Sequence, residues 1–224
     1  MNAEKLLSYN LPLFEGLAPD DLNGIDIQIS EHRLDAWQTV FDQEDASFDT
    51  YFLLSGAILA VFWTEEGREI VFSRFPEGSY FGELAALDNV PRSLAVFAKT
   101  EARVLSMKQA TFLQLFKDVP LVCERVTQAL VGRIRSLTER SMEMTTLSVE
   151  QRVGTYLLRL AAEHGKLSPG AVIENAPTHS EIAGSIGANR EMVSRSISKY
   201  VKRGAIKSSR QRIEILNPEA LSDA

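Results

Sequence analysis

Residues 81–93 read Phe81-Gly82-Glu83-Leu84-Ala85-Ala86-Leu87-Asp88-Asn89-Val90-Pro91-Arg92-Ser93, and they hold the residue types that grip a phosphate diester beside a sugar. Gly82 has no Cβ, so the main-chain N–H groups after it can approach an anion closely. A helical turn beginning there aims those donors at the charge. Arg92 adds a planar fork of N–H groups suited to two phosphate oxygens. Glu83 can accept hydrogen bonds from a ribose hydroxyl. A β-turn carrying a surface ion pair is the plainer alternative.

A second constellation spans 178–212. Thr178-His179-Ser180-Glu181 has capping-box spacing and opens a short helix through Ile186. Gly187 supplies the positive φ of a tight turn, Asn189 is an N-cap, and a helix over about 190–203 stops at Gly204. Ile182, Ala183, Ile186, Val193, Ile197 and Val201 give the pair a core. This is helix-turn-helix spacing. Arg190, Glu191, Ser194 and Arg195 fall on the first turn and a half of the second helix, where base edges are met. Arginine reads guanine O6 and N7, and glutamate accepts from cytosine N4. Two short runs, 205–207 and 213–216, read as a wing. Lys199, Lys202, Lys207, Arg210 and Arg212 are expected on phosphates, contacts that position rather than specify.

Charge divides the same way. The net −6 of the 224-residue chain separates into −9 over 1–147 and +3 over 148–224. Within 188–212, eight basic residues face Glu191 alone. A local basic patch, rather than total charge, marks polyanion binding.

Between these sites the pattern changes several times. Residues 1–25 read as short helices with Leu6, Leu7, Leu11, Leu13, Phe14, Leu17 and Leu22 as an apolar set. From about 28 to 108, short strands alternate with turn signals at Ser55-Gly56 and Pro76-Glu77-Gly78. A hairpin is expected about Glu65-Glu66-Gly67. Such spacing suggests a β-barrel or double-sheet jelly roll. Helical periodicity covers about 109–118 and, after Pro120, continues to about 146. There Cys123, Thr127, Leu130, Ile134, Leu137, Ser141 and Met144 follow a coiled-coil seam suited to a parallel homodimer. Packing of that helix on its own barrel is the alternative. Ser148-Val149-Glu150-Gln151 is another capping box. The helix it opens presents Val149, Val153, Tyr156, Leu157 and Leu160 on one face and ends near His164-Gly165, before a loop at Pro169-Gly170.

No apolar run approaches the ~18 residues of a membrane span. Met1-Asn2-Ala3-Glu4-Lys5 lacks the plan of a secretory leader, and Cys123 alone cannot form an intrachain disulfide. A cytoplasmic protein is expected, without membrane contact. His32, His164 and His179 are scattered without ligand spacing, so no metal is expected. No nucleophile–base arrangement is visible, so the chain reads as no enzyme.

Gly82, Glu83, Leu84, Ala85, Arg92 and Ser93 resemble the phosphate-binding cassette of cyclic-nucleotide-binding domains. The Arg190–Glu191–Arg195 helix resembles the recognition helix of the cyclic-AMP receptor protein and fumarate–nitrate regulator family of bacterial transcription factors. The likeness implies an α+β fold: a cyclic-nucleotide-binding β-barrel (jelly roll) over 1–118, a dimerisation helix and hinge over 119–147, and a winged helix-turn-helix over 148–224. It also implies a homodimeric regulator whose ligand reorients the DNA-binding domains onto palindromic TGTGA-like half-sites, with RNA polymerase as a further partner. By the same resemblance, Leu137 and Thr138 approach the base of the nucleotide. Thr138 keeps one of two expected hydroxyls and Leu137 loses the other. Cyclic AMP is the first expectation as effector. Cyclic GMP is the second, because Ser93 follows Arg92 as in family members that prefer it.

Overall fold

The computed structural model describes residues 3–65, 69–163 and 168–222. It divides into two compact units, Met1–Arg133 and Ile134–Ala224. The first unit opens with α1 (Ala3–Leu7) and two 3-10 turns, each with proline at its first position, where the missing N–H is harmless. Strands β1 (Ile29–Leu34), β2 (Thr39–Phe41), β3 (Thr50–Ser55), β4 (Ile58–Trp63), β5 (Glu69–Phe75) and β6 (Tyr80–Phe81) follow. Then come α2 (Glu83–Asp88), β7 (Ala95–Ala98), β8 (Ala102–Met107), α3 (Gln109–Asp118) and α4 (Pro120–Thr146), which runs on into the second unit.

The strands form two antiparallel four-stranded sheets, ordered β1-β8-β3-β6 and β2-β7-β4-β5. The architecture is therefore the double-sheet form rather than a closed barrel. Successive residues of a strand face opposite sides, and β3 uses both sides. Leu53 joins Leu34, Phe41, Ile58, Phe81 and Val96 between the sheets. Phe52 turns outward into a core with Leu6, Phe14, Leu105, Phe112 and Val122. Burial on both faces explains why Tyr51-Phe52-Leu53-Leu54 is continuously apolar instead of alternating. Gly56 turns the chain into β4 at φ +95°, where a Cβ would lie 2.4 Å from the Glu101 carbonyl oxygen. Strands β4 and β5 pair as a hairpin from Ile58↔Phe75 to Trp63↔Glu69. Of its expected turn, Glu66 and Gly67 lie outside the described residues.

The second unit holds the rest of α4 with α5 (Val149–Glu163), β9 (Ala171–Glu174), α6 (His179–Ile186), α7 (Arg190–Lys202), β10 (Ile206–Ser209), β11 (Arg212–Ile215) and α8 (Glu219–Ser222). The expected end of α5 at His164-Gly165 lies outside the described residues. Both bonds of each expected capping box are present: Ser148 N donates to Gln151 Oε1 at 2.8 Å and Gln151 N to Ser148 Oγ at 3.2 Å. Thr178 N donates to Glu181 Oε2 at 2.7 Å, and Glu181 N to Thr178 Oγ1 at 3.2 Å. Strand β9 was not foreseen. It completes a three-stranded sheet, β10-β11-β9, and its only advance sign was the short run Ala171-Val172-Ile173 after Pro-Gly. One core residue differs from expectation. Val201 is exposed, and Tyr200 is fully buried in its place, because Val193, Ile197 and Tyr200 are the residues spaced four and three apart.

Candidate ligand cassette and nucleic-acid interface

Gly82 is the N-cap of α2 with φ +81°, a left-handed conformation that glycine adopts without strain. A Cβ there would lie 2.6 Å from Arg92 Nη1, so glycine is needed for space as well as for backbone shape. Arg92 follows α2 in the chain and is only 3% exposed. Its fork is engaged by the protein itself. Nη1 donates to the Gly82 carbonyl oxygen at 2.7 Å, Nη2 to the Asp49 carbonyl oxygen at 2.6 Å, and Nε to Ser47 Oγ at 3.1 Å. The guanidinium also lies 4.1 Å from the centre of the Phe41 ring. Burial lowers its pKa, while Tyr51 and Asp49 act in the opposite direction.

Glu83 is 1% exposed and its carboxylate pairs with Arg133 on α4. Burial raises its pKa, and the Arg133 charge pulls it back. Arg133 also donates to the Tyr80 carbonyl oxygen at 3.4 Å. Ala85 is buried, Leu84 and Ser93 are exposed, and four rings close the cluster: Tyr51 and Phe75 stack on Phe81, and Phe41 leans against it. The structure thus gathers Gly82, Glu83, Ala85 and Arg92, whereas the Leu84 and Ser93 side chains point to solvent. Sequence reasoning missed Ser47, Asp49 and Arg133 as partners. Main-chain carbonyls leave no side-chain signature, and Arg133 lies fifty positions from Glu83 on a helix read for its apolar seam.

Leu137 and Thr138 lie on α4 in the second unit. Both are exposed, and the Thr138 hydroxyl donates back to the Ile134 carbonyl oxygen at 2.9 Å. Of the expected seam, Ile134 is 62% and Leu137 49% exposed along this stretch, and Val131, outside that seam, is 43% exposed. Nearer its start, α4 uses Val122 and Val126 to pack on the sandwich.

On α7, Asn189 Oδ1 accepts from Met192 N at 2.8 Å and starts the helix cleanly. Arg190, Glu191 and Arg195 are exposed along its first turns and Ser194 is half-buried. Lys202, Lys207 and Arg210 are exposed as well. Lys199 is engaged, its Nζ lying 2.6 Å from Glu150 Oε2. Arg212 is engaged likewise, with Glu174 at 3.2 Å and Glu214 at 3.6 Å. Among the described residues no helix is long and apolar enough to cross a membrane.

A two-sheet sandwich with a phosphate cassette and, in a second unit, a winged helix-turn-helix define a class: DNA-binding regulators with a small-molecule domain. Comparison with known proteins makes this specific. Residues 31–119 match the cyclic nucleotide-binding domain and residues 151–224 the Crp-like helix-turn-helix domain. The chain is 26% identical over 211 residues to the CRP-like cAMP-activated global transcriptional regulator of Mycobacterium tuberculosis, covering 94% of each chain. It is 28% identical over 218 residues to the cyclic AMP receptor protein of Thermus thermophilus, covering 95% of each. A solved structure of CooA from Carboxydothermus hydrogenoformans shares the fold with a TM-score of 0.77 at 16% identity, over 100% of this chain and 95% of that one. So does the c-di-GMP responsive regulator CLP of Xanthomonas campestris, with a TM-score of 0.71 at 21% identity over 84% and 94%. The chain belongs to the cyclic-AMP receptor protein and fumarate–nitrate regulator family, a family of transcription regulators and not of enzymes.

Proposed function

We propose that the chain is a cytoplasmic, homodimeric transcription regulator that answers to a cyclic nucleotide, cyclic AMP first and cyclic GMP second. The observation that carries this reading is the meeting of Arg92 and Glu83 at Gly82 in one buried cluster. Arg92 would take the cyclic phosphodiester with the main chain of 82–85, Glu83 the ribose hydroxyl, and Leu137 and Thr138 the base. For that, Arg92 must exchange the Gly82 and Asp49 carbonyls for phosphate oxygens, and Glu83 must share its carboxylate with Arg133. A protein whose competent state is a minor one binds its ligand more weakly by that fraction. The open face at Val131, Ile134 and Leu137 supports pairing of two α4 helices. The exposed Arg190, Glu191 and Arg195 support reading of TGTGA-like half-sites on a palindrome, with RNA polymerase as a further partner.

Calorimetry with cyclic AMP, cyclic GMP and cyclic di-GMP tests the ligand. One nucleotide should bind the native chain and lose affinity at least tenfold in Arg92→Ala; unchanged binding there would remove the pocket assignment. A second reading is a regulator of the same family that works without effector, favoured by the self-satisfied fork of Arg92. It predicts no heat with any of the three and the same DNA affinity with and without them.

A further inference from the structure

Outside the cassette, one densely bonded charged group of the second unit is Glu150, in the first turn of α5. Its carboxylate is largely shielded, with the side chain 16% exposed. Oε2 accepts from Lys199 Nζ at 2.6 Å and Oε1 from Arg203 Nη1 at 2.8 Å. Between these two cations, the buried Tyr200 donates its hydroxyl to the Glu150 main-chain oxygen at 2.8 Å. Lys199 and Tyr200 in the last turn of α7 and Arg203 at its C-cap therefore converge on one residue of α5. Both partners sit where helix ends favour them, an acid at an N-terminus and cations near a C-terminus.

The cations are placed to matter for DNA. On a helix advancing about 100° per residue, Lys199 lies about 40° and Arg203 about 80° round from the exposed Arg195. Both border the face that carries Arg195 and Lys202. The Lys199 and Arg203 side chains keep 58% and 54% of their exposure, so solvent screens each pair and neither adds much to folding. Their weight lies in competition: a phosphate that seeks either cation must displace a carboxylate already within hydrogen-bond distance.

We propose that Glu150 acts as an internal counter-anion for α7, withholding Lys199 and Arg203 from the DNA backbone and so limiting sequence-independent binding. It is a positioning residue, working through two cations rather than touching DNA. The inference rests on the family's DNA-binding role. It assigns Lys199 to an intramolecular partner instead of the phosphate contact its charge suggests.

The test is the salt dependence of binding to a random-sequence duplex, followed by fluorescence anisotropy. Each phosphate newly neutralised steepens the plot of log K against log salt by about 0.9. Glu150→Gln should steepen it by roughly one to two units and raise affinity for this duplex about tenfold at low salt. Lys199→Gln should leave the native slope unchanged. An unchanged slope in Glu150→Gln, or a slope flattened by about 0.9 in Lys199→Gln, overturns the proposal. If Glu150→Gln does not fold, Lys199→Gln and Arg203→Gln, both at exposed positions, decide the matter alone. A native chain that shows no salt-dependent DNA binding would instead fail the functional reading itself.

Discussion

Arg92 in the sandwich is 3% exposed and donates to Gly82, Asp49 and Ser47, while Arg190 and Arg195 at the start of α7 face solvent. On the proposed function, the two regions would meet anions by opposite routes. A helix surface can present cations because water solvates them until phosphates arrive, and release of counterions from the DNA then drives association. A buried guanidinium has no such reserve and must be hydrogen-bonded at all times. The sandwich supplies those bonds from its own carbonyls. The helix surface is ready-made, whereas on the proposed function the cassette would have to trade the Gly82 and Asp49 carbonyls for its ligand, as a switch requires. Lys199 and Arg203 lie between the two cases, exposed yet bonded to Glu150.

The largest expected effect separates the regions directly. Arg92→Ala strips the donors from buried carbonyls and leaves a void, and should lower unfolding free energy by about 3 kcal/mol in urea titration. Arg195→Ala should leave stability within about 0.5 kcal/mol. It should weaken operator binding by about 10- to 100-fold in anisotropy at fixed salt. If both variants behaved alike in both assays, the contrast would be wrong. Next in size is Gly154→Ala on α5, whose Cβ would sit 2.2 Å from the Leu221 carbonyl oxygen and 2.7 Å from Tyr200 Oη. Overpacking of this kind costs about 1–3 kcal/mol, seen as a lower melting temperature with the sandwich unaffected. Asn189→Ala removes the cap of α7 and should cost about 1 kcal/mol, with a matching loss of DNA affinity.

The smallest effect is a pH trend. Burial holds Glu83 above its usual 4.5, so the folded chain keeps this proton at a pH where the unfolded chain has lost it. Its contribution to stability is full below that usual value and is lost as pH rises through the folded pKa. Relative to Glu83→Gln, native stability should therefore decline as the pH rises above the usual carboxylate value of 4.5, read from urea midpoints. The reverse trend would mean that the Arg133 pair outweighs burial.

Much of the second unit was legible residue by residue. The caps at Ser148, Thr178 and Asn189, the turn at Gly187 and the face of Val193 and Ile197 all depend on neighbours within a few positions, and each appears as read. Strand β9 escaped because a four-residue run carries almost no periodicity, and its pairing with β11 spans some forty residues of chain. The seam on α4 was visible as a pattern, but only the structure shows its Ile134 and Leu137 left open and Val122 and Val126, outside the seam, turned to the sandwich.

By itself the sequence determined most of the elements, though not β9, the order of the two units, and the placing of Gly82, Glu83, Ala85 and Arg92 at the cassette and of the exposed basic residues on α7, because these follow from local spacing and residue type. Tertiary structure alone decided what those residues touch. Arg92 meets Asp49 and Ser47 from 43 and 45 positions away, and Glu83 meets Arg133 from 50. A buried charge must take whichever partner the fold brings within reach, and no local pattern encodes a carbonyl arriving from a loop more than forty residues away.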